Sequence, residues 1–340
     1  VDRKAEFDAR LAGRSTAAVA RARIDLALVS VLLDAGAGPQ WRYREAHSGQ
    51  SFARSEGLGV ASFRAFMAGR FSSDPGDPCR VDAAALLRVD AALLAEIFQA
   101  DGTNPLVGLD GRAALLRRLG EALRAQPTLF TAEGQPGRLF DALTGHRRAP
   151  ALPQSHHVGA ERVLRALLDA FSAIWPSGQV FDDGTPLGDA WRHPLAGGEG
   201  PSAGWVPFHK LSQWLTYSLL EPFQWAGVKV SGLDQLTGLP EYRNGGLLLD
   251  AGVVVPRDAA FASRCWEPAD EWVIEWRALT VALLDALAPR VRERLGLSAE
   301  QMPLACMLEG GSWAAGRQIA AELRPGGGPP VTIVSDGTVF

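Results

Sequence analysis

Long stretches in which apolar residues recur every three to four positions alternate with short segments dense in Gly, Pro, Asp and Ser. The first pattern predicts helices that each bury one face, and the second predicts the turns between them. Residues 15–35 are rich in Ala, Leu and Val, begin at a Ser15-Thr16 cap and stop at Gly36, which predicts a helix. Residues 82–99 and 109–125 predict two amphipathic helices separated by Asp101-Gly-Thr-Asn-Pro105, and residues 138–144 and 158–175 predict two more. The segment 176–206, rich in Gly, Pro and Asp, predicts a long ordered loop, a class that is often functional. Helices follow at 209–223, about 270–294 and 312–323, and residues 232–250 predict helix, tight turn, helix with the turn at Thr237-Gly-Leu-Pro240. Strand signals are few. The alternation on either side of Ser48-Gly49, from Trp41 to Arg54, predicts a β-hairpin. Residues 331–340 predict a closing hairpin, because Asp336-Gly337 suits a type I′ turn. The fold class is mainly α with small β-hairpins.

Composition narrows this picture. At 340 residues and 47% hydrophobic content, the chain can bury a sizeable core. The expected organisation is a single large domain over 1–340, with 1–150 and 151–340 as alternative lobes. A net charge of −4 argues against a broad electrostatic grip on nucleic acid or on an acidic membrane. No apolar run approaches the roughly 20 residues that span a bilayer. Cys79, Cys265 and Cys306 are few and far apart, which fits reduced thiols in the cytoplasm rather than a disulfide framework. The chain opens at Val1-Asp2-Arg3 without an initiator Met, which leaves a truncated, a processed and a partly represented protein as alternatives. Lys4, Lys210 and Lys229 are the lysines among 34 Lys and Arg residues, so a lysine inside a dense motif draws attention.

Four segments carry candidate chemistry. In Pro207-Phe-His209-Lys210-Leu-Ser-Gln213-Trp214, the residues His209, Lys210 and Gln213 fall within about one helical turn. A lysine and free backbone N–H groups near a helix start can hold a phosphate, while the plainer reading is an amphipathic helix with a solvated side. In Gly238-Leu-Pro240-Glu241-Tyr242-Arg243-Asn244, Pro240 suits a helix first turn and Glu241 lies where the dipole favours a carboxylate. Capping and catalysis are both open there. Glu271 and Glu275 share a helix face beside Arg277, as a solvated surface or as a pair bridged by a cation. In Leu308-Glu-Gly310-Gly311-Ser312-Trp313, the glycines permit a tight approach before a helix with Ser312 as its cap, either as a phosphate or sugar contact or as ordinary helix punctuation. His47, His146, His156, His157, His193 and His209 show no metal-ligand spacing, and no metal or cofactor is expected. No P-loop, GxSxG elbow or Rossmann fingerprint is present.

The string Pro207-Phe-His-Lys-Leu-Ser-Gln-Trp-Leu-Thr-Tyr-Ser-Leu-Leu-Glu-Pro222 resembles the uracil catabolism protein four family, a domain-of-unknown-function family. So do Leu236-Thr-Gly-Leu-Pro-Glu-Tyr-Arg-Asn-Gly-Gly246, Glu309-Gly-Gly-Ser-Trp-Ala-Ala-Gly-Arg317, Gly188-Asp-Ala-Trp-Arg-His-Pro194 and Ser335-Asp-Gly-Thr-Val-Phe340. The resemblance implies a step in a route that joins uracil to ribose phosphate, opens the ring and splits a ribosyl-urea. A fainter likeness links Phe208-His-Lys210-Leu-Ser-Gln213, Glu241-Tyr242-Arg243 and Glu275-Trp-Arg277 to the queuosine salvage nucleotide N-glycosylases. That likeness implies a helix-hairpin-helix glycosylase-like body, with Glu241 standing where that family has Asp.

The implied activity is an N-ribosyl hydrolase acting on ribosyl-urea or its 5′-phosphate and releasing urea. Its partner is then a small ribosyl or ribosyl-phosphate substrate. Cleaving an N-glycosidic bond develops positive charge on the ribose, which a carboxylate stabilises or relieves by activating water. Glu241 is the candidate carboxylate and Asp234 its rival. Lys210 and Arg243 are the candidates for positioning substrate. Tyr242, His209, Gln213, Glu275 and Arg277 are further contacts, and Trp41 and Tyr43 are candidate pocket walls. The competing reading is a non-catalytic helix-hairpin-helix protein that binds nucleic acid or nucleotides through Thr237-Gly-Leu-Pro240.

Overall fold

A computed structural model describes residues 2–145, 157–175 and 179–334. The chain is mainly helical. Among the described residues the strands are two or three residues long and pair in twos. None of the described helices is long and apolar enough to cross a membrane. Contacts divide the chain into two units. The first holds the described parts of Val1–Gly178 with Trp214–Ser231, and the second those of Gln179–Gln213 with Gly232–Ser335.

The first unit is built on the Thr16–Leu33 helix. Ser15 caps it through a 3.3 Å bond from the Ala18 amide, as its sequence predicts. Apolar residues lie nearly all round it, and Ile24, Leu28, Val29 and Leu33 are fully buried, which marks a central helix rather than a surface one. Its C-terminus is closed by the buried Arg112, whose guanidinium donates to the carbonyls of Leu33, Ala35, Gly36 and Val107. The hairpin predicted around Ser48-Gly49 forms, with Tyr43 opposite Phe52 and Gly49 at φ +70°. The helix predicted over 82–99 is two helices, Ala83–Leu86 and Ala91–Phe98. Asp82 and Asp90 each accept an amide three residues ahead, so each starts its own helix. The stretch from 158 likewise begins as a strand, His157–Gly159, before the Ala160–Phe171 helix.

The second unit departs further from the sequence expectation. The segment 176–206 carries strands: Gln179–Val180 pairs with Pro186–Gly188, and Ala190–Arg192 with Trp205–Pro207, both antiparallel. The first helix expected in 232–250 is one 3₁₀ turn, Leu233–Gln235, before the Tyr242–Asp250 helix. Ser312 is not a cap, because Leu304–Met307, a π-helical Leu308–Trp313 and Ala314–Leu323 run on through it. Thr332–Ile333 pairs in parallel with Cys265–Trp266. The Asp336-Gly337 turn, like His146 and His156, lies outside the described residues.

Three glycines let the helices of this unit close. A Cβ at Gly245 would meet the Trp276 indole at 2.7 Å, and one at Gly246 would meet Pro330 at 3.0 Å. At Gly316 it would meet the Arg243 carbonyl oxygen at 2.6 Å. That last neighbour is backbone and cannot rotate away. Gly316→Ala should therefore destabilise the protein by about 1–3 kcal/mol in urea denaturation. Gly310→Ala, with nothing within 4 Å of its added carbon, should not.

Candidate functional site

The candidate site lies in the second unit and starts from Asp189. This residue stands between Pro186–Gly188 and Ala190–Arg192, at the point where the chain turns back toward Trp205–Pro207. Its carbonyl accepts the amides of Phe208 and His209 at 2.9 and 3.0 Å, and its carboxylate accepts the Lys210 amide at 3.0 Å. Asp189 thus caps the Lys210–Trp225 helix from 21 residues away, doing for its free amides what an adjacent cap does elsewhere. The same carboxylate accepts Trp191 Nε1 at 2.7 Å and both Nη atoms of Arg277 at 2.8 and 2.7 Å.

Arg277 is 1% exposed and Asp189 6% exposed, so this is a fully desolvated, bidentate pair. Burial alone raises the Asp189 pKa. The Arg277 charge and its hydrogen bonds, with those of Trp191 and the Lys210 amide, more than reverse that and leave it at about 2. Arg277 also lies 4.1 Å from the centroid of the Phe208 ring and donates from Nε to the Pro240 carbonyl at 3.3 Å. One side chain therefore ties the start of the Lys210 helix to the segment carrying Glu241. Trp191, Phe208 and Ile274 close an apolar cluster beside it.

His209 has φ +47°, a left-handed conformation that is costly for a non-glycine residue. The two amides bound by the Asp189 carbonyl hold it there. Its Nδ1 is buried with no hydrogen-bond partner among the described residues. Burial lowers the His209 pKa first, nearby Asp189 raises it and Arg277 lowers it, with a net depression that favours the neutral ring.

Glu241 is the N-cap of the Tyr242–Asp250 helix, so the capping reading holds. Oε2 accepts the Arg243 amide at 2.6 Å and Oε1 the Asn244 amide at 2.7 Å. Asp, Asn, Ser and Thr are the residues that ordinarily do this. A glutamate must fold back to reach, and here it is buried while doing so. Burial raises its pKa above the ordinary 4.5. The two amides, the Lys210 charge and a hydrogen bond from the Trp313 side chain oppose that only in part. Asn244 continues the network, donating to the Leu239 carbonyl at 3.0 Å and accepting the Ser312 hydroxyl at 2.8 Å. Ser312 and Trp313 belong to the π-helical turn, a form that often marks functional sites. Lys210 and Gln213 are both 6% exposed, and the Gln213 side-chain oxygen accepts the Thr237 amide at 3.3 Å.

The arrangement thus brings Lys210, Glu241, Gln213, His209 and Arg277 into one buried network. The side chains of other expected residues are placed differently. Asp234 and Glu275 are exposed. Arg243 donates to the Gly327 carbonyl at 2.9 Å and lies over the Tyr242 ring. Trp41 and Tyr43 belong to the first unit, where Trp41 is fully buried and bonded to the Phe98 carbonyl at 2.9 Å. Asp189, Asn244, Ser312 and Trp313 were not singled out as site residues in the sequence. The Gly188-to-Pro194 block held the one signal for Asp189.

Breaking the central pair leaves a buried charge without its partner. Asp189→Asn should cost about 3–5 kcal/mol in urea denaturation. An Asp189→Asn, Arg277→Met double variant should recover part of that loss. Because the folded Asp189 pKa of about 2 lies below the unfolded 3.8, its stabilisation is present above pH 4 and lost as pH falls toward 2. That contribution, about 2 kcal/mol, should be absent from the acid-unfolding profile of the double variant.

The whole chain, residues 1–340, matches the family described as Protein of unknown function (DUF1688). It is 41% identical over 352 positions to "Uracil catabolism protein 4" of Lachancea kluyveri, covering 97% of this chain and 79% of the relative. It is 43% identical over 321 positions to "Protein urg3" of Schizosaccharomyces pombe, covering 93% of this chain and 75% of the relative. A match along its full length, supported by relatives above 40% identity, places this chain in the DUF1688 family.

Proposed function

We propose that this chain is an N-ribosyl hydrolase of uracil breakdown, which splits ribosyl-urea or its 5′-phosphate into urea and the sugar. The observation that carries the reading is Glu241, a buried carboxylate held by two backbone amides with a lysine charge close by. The name of the Lachancea kluyveri relative supports the pathway. The likeness to queuosine salvage N-glycosylases supports the bond type, and with it a helix-hairpin-helix reading of residues 233–250, although its first limb here is a single 3₁₀ turn.

The reaction adds water across the C1′–N bond. The bond breaks with its electron pair leaving on the urea nitrogen, positive charge develops on the ribose ring, and a water oxygen bonds to C1′. One water proton ends on urea. Ionised Glu241 faces the developing charge or takes the water proton, and its fixed hydrogen bonds mean it need not reorganise as charge builds. Lys210 holds the substrate's phosphate or hydroxyl oxygens. Neutral His209 offers a ring nitrogen for a hydrogen bond to the sugar or to urea. The dry surroundings strengthen each of these interactions.

Urea release from both substrates tests this directly. Glu241→Gln should lower kcat by about 10²–10⁴-fold, while circular dichroism shows a folded protein weakened by about 1 kcal/mol at the helix cap. Lys210→Ala should raise KM more for the phosphorylated substrate than for the free one. Because Glu241 acts ionised and its pKa is raised, kcat/KM should fall as pH drops through a value above 4.5. Full activity in Glu241→Gln would remove it from the mechanism.

A further inference from the structure

The first unit contains a cavity of ≈ 220 Å³ lined by Arg14, Arg21, Arg80, Arg138 and the carboxylate of Asp77, with Gln135 and Ala18 among its other walls. Four guanidinium groups around so small a space repel one another unless negative charge offsets them. The carboxylates paired with them offset that charge but do not use every N–H. Arg14 has Asp77 at 2.7 Å, an ion pair without a directed hydrogen bond to Asp77 Oδ1. Arg21 and Arg138 share a single oxygen, Asp141 Oδ2, at 3.2 and 3.1 Å. Arg80 reaches Asp82 Oδ2 at 3.3 Å, but that carboxylate already accepts the amides of Ser73 and Ala85. Asp25 also acts on Arg80, and Glu133 on both Arg80 and Arg138, so what the arginines lack is hydrogen-bond acceptors rather than opposite charge. The Nε atoms of Arg80 and Arg138 are buried and have no hydrogen-bond partner among the described residues, a state that costs free energy until an acceptor arrives.

The cavity is held in shape from beneath. Asp25, fully buried on the Thr16–Leu33 helix, accepts the Val81 amide at 3.2 Å, Gln135 Nε2 at 2.7 Å and the Gly137 amide at 2.6 Å. Three separate segments are thereby fixed to one another: the helix bearing Arg21, the loop bearing Arg80, and the turn bearing Gln135 and Arg138. Gly137 allows the closest approach, since a Cβ there would lie 2.4 Å from the Arg21 carbonyl oxygen. The arginines are presented on a rigid frame.

We infer that this cavity is a binding site for a phosphoryl group, either inorganic phosphate or the phosphate of a small phosphomonoester. Tetrahedral oxyanions accept several forked guanidinium bonds at once, which is what converging arginines supply. At ≈ 220 Å³ the space suits the phosphoryl group and its immediate substituent, and falls below the roughly 300–1,000 Å³ of sites that enclose a whole drug-sized ligand. None of the residues of the Glu241 network lines it.

Isothermal titration of the full chain with inorganic phosphate and with glycerol 3-phosphate tests the inference. It should be run in a Lys210→Ala background, so that the Glu241 network does not report. Saturable one-to-one binding of either ligand is expected, and the stronger of the two identifies whether the free ion or a phosphomonoester is preferred. Arg138→Gln should weaken binding on the order of tenfold or more. Ala18→Glu supplies an independent check on a helix that stays capped. Ala18 is the third helical residue after the Ser15 cap, where Glu completes a capping box, while its charge fills the cavity wall. That variant should fold normally by circular dichroism and lose binding. Absence of saturable binding of both ligands at millimolar concentration, or unchanged binding in folded Ala18→Glu, would overturn the inference.

Discussion

The second unit depends on a buried ion pair, Asp189 with Arg277. Desolvating both charges is expensive, and their attraction repays it only where every lone pair and N–H is used. Here they are. The Asp189 carboxylate takes two guanidinium bonds, an indole N–H and a helix amide, and its carbonyl takes two more amides. The consequence is positional. The Lys210 helix can start only where Asp189 caps it, His209 is driven into a left-handed conformation, and Arg277 reaches on to the Pro240 carbonyl just before Glu241. Lys210 and Glu241, 31 positions apart in the chain, are brought together through that one pair.

The network around Glu241 goes against local preference in two places. A glutamate caps a helix where shorter residues do so more readily, and a π-helical turn containing Gly310-Gly311 interrupts a long helix to bring Ser312 and Trp313 to Asn244 and Glu241. Departures of this kind gather at functional sites, where geometry is selected over local stability. The result is a buried carboxylate held by two backbone amides, the arrangement on which the proposed hydrolysis relies.

Much of this was legible in the sequence, and the pattern of what was not has physical causes. The Ser15-capped helix, the hairpin at Ser48-Gly49 and the Lys210 and Glu271 helices follow from periodicity and capping, which are local. The break at Asp90 was also written locally, but the continuous apolar run through residues 82–99 masked it. The density of polar residues at His209, Lys210 and Gln213 pointed to a site, and Glu241 stood out by its place before a helix. Asp189 did not, because its partners lie 21 and 88 positions away and no local rule connects them. Arg277 was read beside Glu275, yet one turns inward and the other faces solvent, a distinction that depends on which helix face packs. Ser312 looked like a cap because Gly-Gly commonly stops a helix; here the helix loosens into a π turn and continues.

The most direct measurement is to incubate the protein with ribosyl-urea and with its 5′-phosphate and identify the products by mass spectrometry. The account predicts intact urea and the free or phosphorylated ribose in equal amounts, from at least one substrate. Ammonia and carbon dioxide in place of urea, or recovery of both substrates unchanged, would contradict it.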